Sequence, residues 1–127
     1  MTDTTNSPET NELIGRYIAA WNETDPERRR ALIARTWTEC GSYVDPLAES
    51  RGHAGIDAMI EGIRARLPGL RFRLTGAVES HHDRVRLCWE LAPEAGTPVA
   101  KGTDFGVLAD DGRLRCVTGF LDTPSAQ

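Results

Sequence analysis

Three side chains able to hold or move a proton stand in this chain where apolar residues would be expected. Tyr17 falls between Ile14 and Trp21 at helical spacing, so its ring is placed to pack while its hydroxyl requires a partner. Asp45 closes a short extended stretch between Val44 and Pro46, a neighbourhood that should disfavour the charged form of a carboxylate. Asp104 alternates with Ala100, Gly102, Gly106 and Leu108 on one strand face, the single charge in a row of small or apolar side chains. Two carboxylates in different surroundings can serve as base and acid, and a phenol beside the acid can donate to an oxygen that gains negative charge. Taken singly, each also has a structural explanation. Asp-Pro is a common turn pair, a strand aspartate can bond backbone amides, and a helix tyrosine can simply fill a core.

The elements that must position these groups follow from periodicity. Ser7-Pro8-Glu9 is a helix start, and Leu13, Ile14, Tyr17, Ile18 and Trp21 repeat along one face of the helix after it. Asp25-Pro26 starts a second helix with Leu32, Ile33, Thr36 and Trp37 inside, expected to end near Cys40-Gly41. An extended piece from Ser42 to Asp45 is stopped by Pro46, and a loop to Gly52 is expected next. Ile56, Met59, Ile60, Ile63 and Leu67 define a third helix that Pro68-Gly69 terminates. Beyond it the period changes to two. Leu70 to Glu79, Val85 to Leu91, Val99 to Leu108 and Leu114 to Leu121 read as strands, the last two joined by an Asp110-Asp111-Gly112 turn. Helices first and hairpin-linked strands afterwards indicate an α+β fold with an antiparallel sheet that curls round the helices, leaving a hollow on its concave face. Trp21, Trp37, Met59, Ile60, Ile63, Trp89, Gly102, Gly106 and Phe120 are the residues expected to line that hollow, the three tryptophans serving first as core.

Composition narrows the function classes. With 127 residues the chain builds one domain, expected over residues 8–122, with polar tails at 1–7 and 123–127. A net charge of −4 argues against nucleic acid, since the one basic cluster, Arg28-Arg29-Arg30, follows Glu23, Asp25 and Glu27 and reads as a solvated helix face. Cys40, Cys88 and Cys116 are widely spaced, with no Cys/His cluster to hold a metal, and fit reduced, mostly buried thiols. His53 reads as a cap or surface residue and His81-His82 as a strand turn. No leader or membrane-spanning run is apparent, so the expected location is the cytosol.

Read together, Arg16-Tyr17-Ile18-Ala19-Ala20-Trp21-Asn22, Asp45-Pro46, and Pro98-Val99-Ala100-Lys101-Gly102-Thr103-Asp104-Phe105 followed by the Asp111-Gly112 turn resemble the ketosteroid isomerase and SnoaL-like branch of the nuclear transport factor 2-like superfamily over nearly the whole chain. The resemblance implies a cone-shaped, strongly curved antiparallel sheet wrapped around the N-terminal helices, a cystatin-like α+β roll. It also implies a role for each residue: Asp45 shuttles a proton, while Tyr17 and a protonated Asp104 hydrogen-bond the enolate oxygen, the arrangement for which ketosteroid isomerase is the type case. Ile60 stands where some ketosteroid isomerases place a tyrosine. Gly102 stands where limonene epoxide hydrolases need an arginine, which disfavours that activity.

The expected activity is proton abstraction next to a carbonyl of a small, apolar, cyclic molecule, as an isomerase or cyclase without cofactor or metal. The alternative is a non-catalytic ligand-binding or dimerisation module of the same fold. A further expectation concerns assembly. Val99, Thr103, Phe105 and Val107 make a second apolar row on the face opposite Asp104, which the helices cannot reach, so a homodimer through that face is expected, in line with the resemblance.

Overall fold

The computed structural model describes residues 7–122; the expected tails fall, apart from Ser7, outside the described residues. Helices α1 (Pro8–Asn22) and α2 (Pro26–Thr36) each begin with proline in the first turn behind a capping side chain. Ser7 accepts from the Thr10 amide and Asp25 from the Arg28 amide, satisfying amides that the helix itself leaves open. Strand β1 (Trp37–Val44), the short β2 (Glu49–Arg51) and helix α3 (Gly52–Arg66) follow. Strands β3 (Leu70–His81), β4 (Arg84–Pro93), β5 (Ala100–Leu108) and β6 (Leu114–Leu121) complete the chain.

The six strands form one curved, unclosed sheet in the order β2-β1-β6-β5-β4-β3, the expected α+β class. Neighbours are antiparallel except β1 and β6, which run parallel because the helical layer carries the chain from one edge region of the sheet to the other. On the concave side lie Val85, Leu87, Trp89 and Leu91 of β4 and Leu114 and Val117 of β6, packed on Leu13, Ile14, Ala20, Ile33, Ile56 and Ile60 of the helices. Asn22 pins α1 to β3, donating to the Phe72 carbonyl at 2.9 Å and accepting from the Phe72 amide at 2.8 Å. Among the described residues no helix is long and apolar enough to cross a membrane.

Four local expectations are corrected. The second helix stops at Thr36, and Trp37 opens β1 with extended backbone; Thr36 and Trp37 continue the helical spacing of Leu32 and Ile33, which hides the boundary. Glu49–Arg51, expected as loop, pairs with Ser42, Tyr43 and Val44. Arg29 leaves the solvated face of its neighbours and is buried, donating to Asp57 of α3 at 2.6 Å and to the Glu23 carbonyl at 3.2 Å. All three cysteines are free, but none is fully buried and Cys40 is exposed.

Candidate functional site

Curvature of the sheet leaves a cavity of about 180 Å³ between β1 and β3–β6 on one side and the C-terminal parts of α1 and α3 on the other. Tyr17, Asp45 and Asp104 all line it, from three separate elements. Tyr17 reaches it from α1, since the turn after Ile14 faces the sheet. Asp104 reaches it from β5 because Gly102, Asp104 and Gly106 alternate toward the concave side. Asp45 follows β1, two residues after Tyr43, and so shares its face.

The two carboxylates are held differently. Asp104 is 3% exposed, and each of its oxygens accepts from one neutral side chain: Tyr17 Oη donates to Oδ2 at 2.6 Å and Trp89 Nε1 to Oδ1 at 3.0 Å. Burial raises its pKa above the ordinary carboxylate value; these two hydrogen bonds oppose the rise and the nearby Asp45 charge adds to it. Burial, and then the Asp104 charge, push the Tyr17 hydroxyl well above the usual phenol range, so it remains a donor at any working pH. Asp45 is half-buried and accepts three hydrogen bonds. Tyr43 Oη donates to Oδ2 at 2.7 Å, and the Leu47 and Ala48 amides donate to Oδ1, each at 2.8 Å. Of the roughly four lone-pair positions a carboxylate offers, one, on Oδ2, is left for a ligand proton.

Gly119 of β6 lies where the two groups converge. A Cβ built there would stand 2.8 Å from Asp104 Oδ1, 2.9 Å from Tyr43 Oη and 3.3 Å from Asp45 Cβ. Any side chain would wedge between the carboxylates. Tyr43 is the functional candidate that sequence reasoning missed: it is buried, lines the cavity and orients Asp45. Its spacing of two from Asp45 in an extended stretch was the signal available. The remaining wall is apolar and aromatic, with Trp21, Phe72 and Trp89 meeting edge to face.

Of the expected lining residues, Trp21, Ile63 and Trp89 border the cavity; the other six do not. Trp37 is buried behind Tyr17, ring centroids 5.3 Å apart, and Ile60 is sealed in the core one helical turn from Ile63. Met59 packs at the margin of that core. Gly102 is covered by the Trp89 indole, which a Cβ would meet at 2.2 Å, and the space beside Gly106 is taken by Leu114 and Val85. Phe120 pairs with Thr103 and shares its outer face, because an irregularity in the pairing of β5 with β6 puts Leu114 and Val117, three residues apart, on the same inner side. Among the described residues no cluster of three or more metal-ligating side chains occurs. The larger hollow, about 820 Å³, is a trough on the outer face beside Phe105 and Val107; none of the three polar groups reaches it.

Comparison with known proteins gives the family and the fold. A family model described as SnoaL-like domain matches residues 14–117, a span that contains Tyr17, Asp45 and Asp104. A crystal structure from Agrobacterium tumefaciens, described as a candidate isomerase of the SnoaL-like family, is 44% identical with a TM-score of 0.87, covering 92% of this chain and all of that one. A candidate SnoaL-like polyketide cyclase from Jannaschia shares the fold at 17% identity and TM-score 0.70, over 94% of this chain and 92% of that one. So does a protein of unknown function with a cystatin-like fold from Methylobium petroleophilum, at 17% identity and TM-score 0.74, over 98% and 83%. Among curated proteins none matches. With the family model spanning most of the chain and a 44% identical relative matching over its full length, the protein is a member of the SnoaL-like domain family.

Proposed function

We propose that the protein abstracts a proton next to a carbonyl in a small, apolar, cyclic molecule, acting as an isomerase or cyclase. One observation carries this reading: two carboxylates and a phenol from three elements meet in one apolar cavity. Asp45 takes the proton at its remaining Oδ2 position while Tyr43 and two amides hold its orientation. Tyr17 turns its hydrogen from Asp104 Oδ2 to the substrate oxygen, and the protonated Asp104 donates its own hydrogen to the same oxygen, on which charge collects as the C–H bond breaks. The proton on Asp45 then returns to another carbon, or the enolate carbon attacks a second carbonyl of the same molecule, whose C=O π bond opens to an alkoxide that takes the proton from Asp45. The likeness to a candidate isomerase supports the reading. Deuterium uptake by cyclic enones in D2O tests it: uptake catalysed by the parent and lost in Asp45→Asn is expected, and equal uptake in both removes Asp45 from the reaction.

A second reading has its own observation. The three donors on Asp45 include the amides of its own turn, a bonding pattern sufficient for a structural aspartate in a binding module that performs no reaction. Enone binding without exchange in the parent would select it.

We also propose a cytosolic homodimer. Phe105 and Phe120 are 44% and 52% exposed on the outer face, with ring centroids 5.9 Å apart, and Val99 extends the apolar row. The three free thiols suit a reducing compartment.

A further inference from the structure

The aromatic walls of the cavity are each held by several contacts, and this bears on what fits inside. Trp89 lies flat over Gly102 and is tied through its N–H to Asp104 Oδ1, so it cannot swing aside without breaking that bond. Phe72 is caught between Trp21 and Trp89, at centroid distances of 5.5 and 5.3 Å. The Arg64 guanidinium stacks 5.6 Å from the Phe72 ring, and both backbone groups of Phe72 are bonded to Asn22. Tyr43 packs against Trp21 at 5.1 Å and is tethered to Asp45. Leu47, 81% exposed, is the most exposed apolar residue of the lining and marks the mouth.

An apolar cavity of about 150 Å³ is filled by one benzene ring. This one, at about 180 Å³, holds one ring with a small substituent. We infer that the substrate is a single-ring carbonyl compound, its oxygen at Tyr17 and Asp104, and that any further ring would stand outside past Leu47, unburied. The inference rests on the proposed oxygen site for the orientation of the ring and on the pinned aromatic walls for its size. It excludes a steroid-sized or multi-ring polyketide substrate, which would leave most of its apolar surface in water.

Phenols test this, since a phenolic oxygen imitates an enolate oxygen while ring number is varied. The probes are 4-methylphenol, 2-naphthol and the four-ring phenol estradiol, with binding read from tryptophan fluorescence; two of the three tryptophans line the cavity. The expected result is that 4-methylphenol binds and the larger phenols gain no more than about threefold in affinity, where full burial of each added ring would give tenfold or more. A tenfold or greater gain with estradiol overturns the inference. Ile63→Ala widens the α3 wall without touching the polar groups; a rise of at least about threefold for 2-naphthol but not for 4-methylphenol is expected. No change for either probe counts against the walls setting the ring size. Tyr17→Phe separates the two claims: if it leaves 4-methylphenol affinity unchanged, the oxygen site is wrong whatever the ring-size series shows, whereas a loss of affinity together with a steep gain across the series upholds the oxygen site and rejects the single-ring substrate.

Discussion

Asp104 and Asp45 meet beside Gly119 in one cavity, and the chain solves the problem of holding a carboxylate differently at each. At Asp104, the carboxylate is enclosed by aromatic rings and bonded to a phenol and an indole, both neutral, with no cation and no backbone amide among its partners. Burial then favours the protonated form. At Asp45, the turn after β1 supplies two amides and β1 itself supplies a phenol, three donors to a half-exposed carboxylate. Pairs of titratable groups in such unlike surroundings are suited to opposite proton roles. The difference comes from local backbone: a central strand whose amides are committed to β4 and β6 has none to offer Asp104, whereas a turn broken by Pro46 has free amides to offer Asp45.

The sharpest way to break the comparison is to exchange each carboxylate for its amide. Asp45→Asn is expected to lower exchange of a one-ring enone by about 10²–10⁴-fold, the usual worth of a general base. Asp104→Asn keeps a donor beside Tyr17 and is expected to cost less; equal losses would end the division of roles. Tyr17→Phe removes one donor to the substrate oxygen, and a loss in kcat of about 10²-fold is expected, checked by the same exchange assay. Gly119→Ala forces a methyl between the two groups and should destabilise the fold by about 1–3 kcal/mol in urea unfolding while weakening both carboxylate sites. Stability unchanged from the parent would mean the two groups are not crowded at Gly119.

The pH dependence of stability distinguishes the two carboxylates as well. Because the folded pKa of Asp104 is raised, the folded state holds its proton more tightly than the unfolded chain. That contribution is complete below the unfolded carboxyl value and is lost as pH rises through the raised one. Asp104→Asn should flatten this fall in Tm with rising pH, and Asp45→Asn should reduce it only slightly, since the Asp45 charge is the smallest contributor to the rise. The smallest effect concerns the outer face: Phe105→Glu should dissociate the proposed dimer in sedimentation at micromolar concentration while leaving enone exchange per chain within about twofold, since Phe105 lies on the side of β5 away from the cavity.

Much of this site was legible in the sequence because periodicity assigns faces. Tyr17 on the apolar stripe of α1 and Asp104 among small residues on β5 point inward for the reasons their spacing suggests. What was not legible depends on breaks in a period. Trp37 continues the helical pattern of α2 and so masks the start of β1, whereas Tyr43, two residues before Asp45 in a stretch that reads as extended, did carry a signal of its own. Phe120 was placed inside by a regular alternation that the irregularity after Leu114 reverses. Met59 and Ile60 lie on the correct side of α3, but depth along a helix axis, which separates core from cavity wall, leaves no trace in a pattern of apolar residues.

The division of roles between the carboxylates is tested most directly by following the aspartate side-chain carboxyl carbons by NMR across pH, with the Asp104 signal assigned by its absence in Asp104→Asn. The account predicts that Asp104 titrates above the ordinary aspartate range and moves higher still when 4-methylphenol occupies the cavity. An Asp104 signal that titrates at or below the ordinary range and does not respond to the phenol would contradict it.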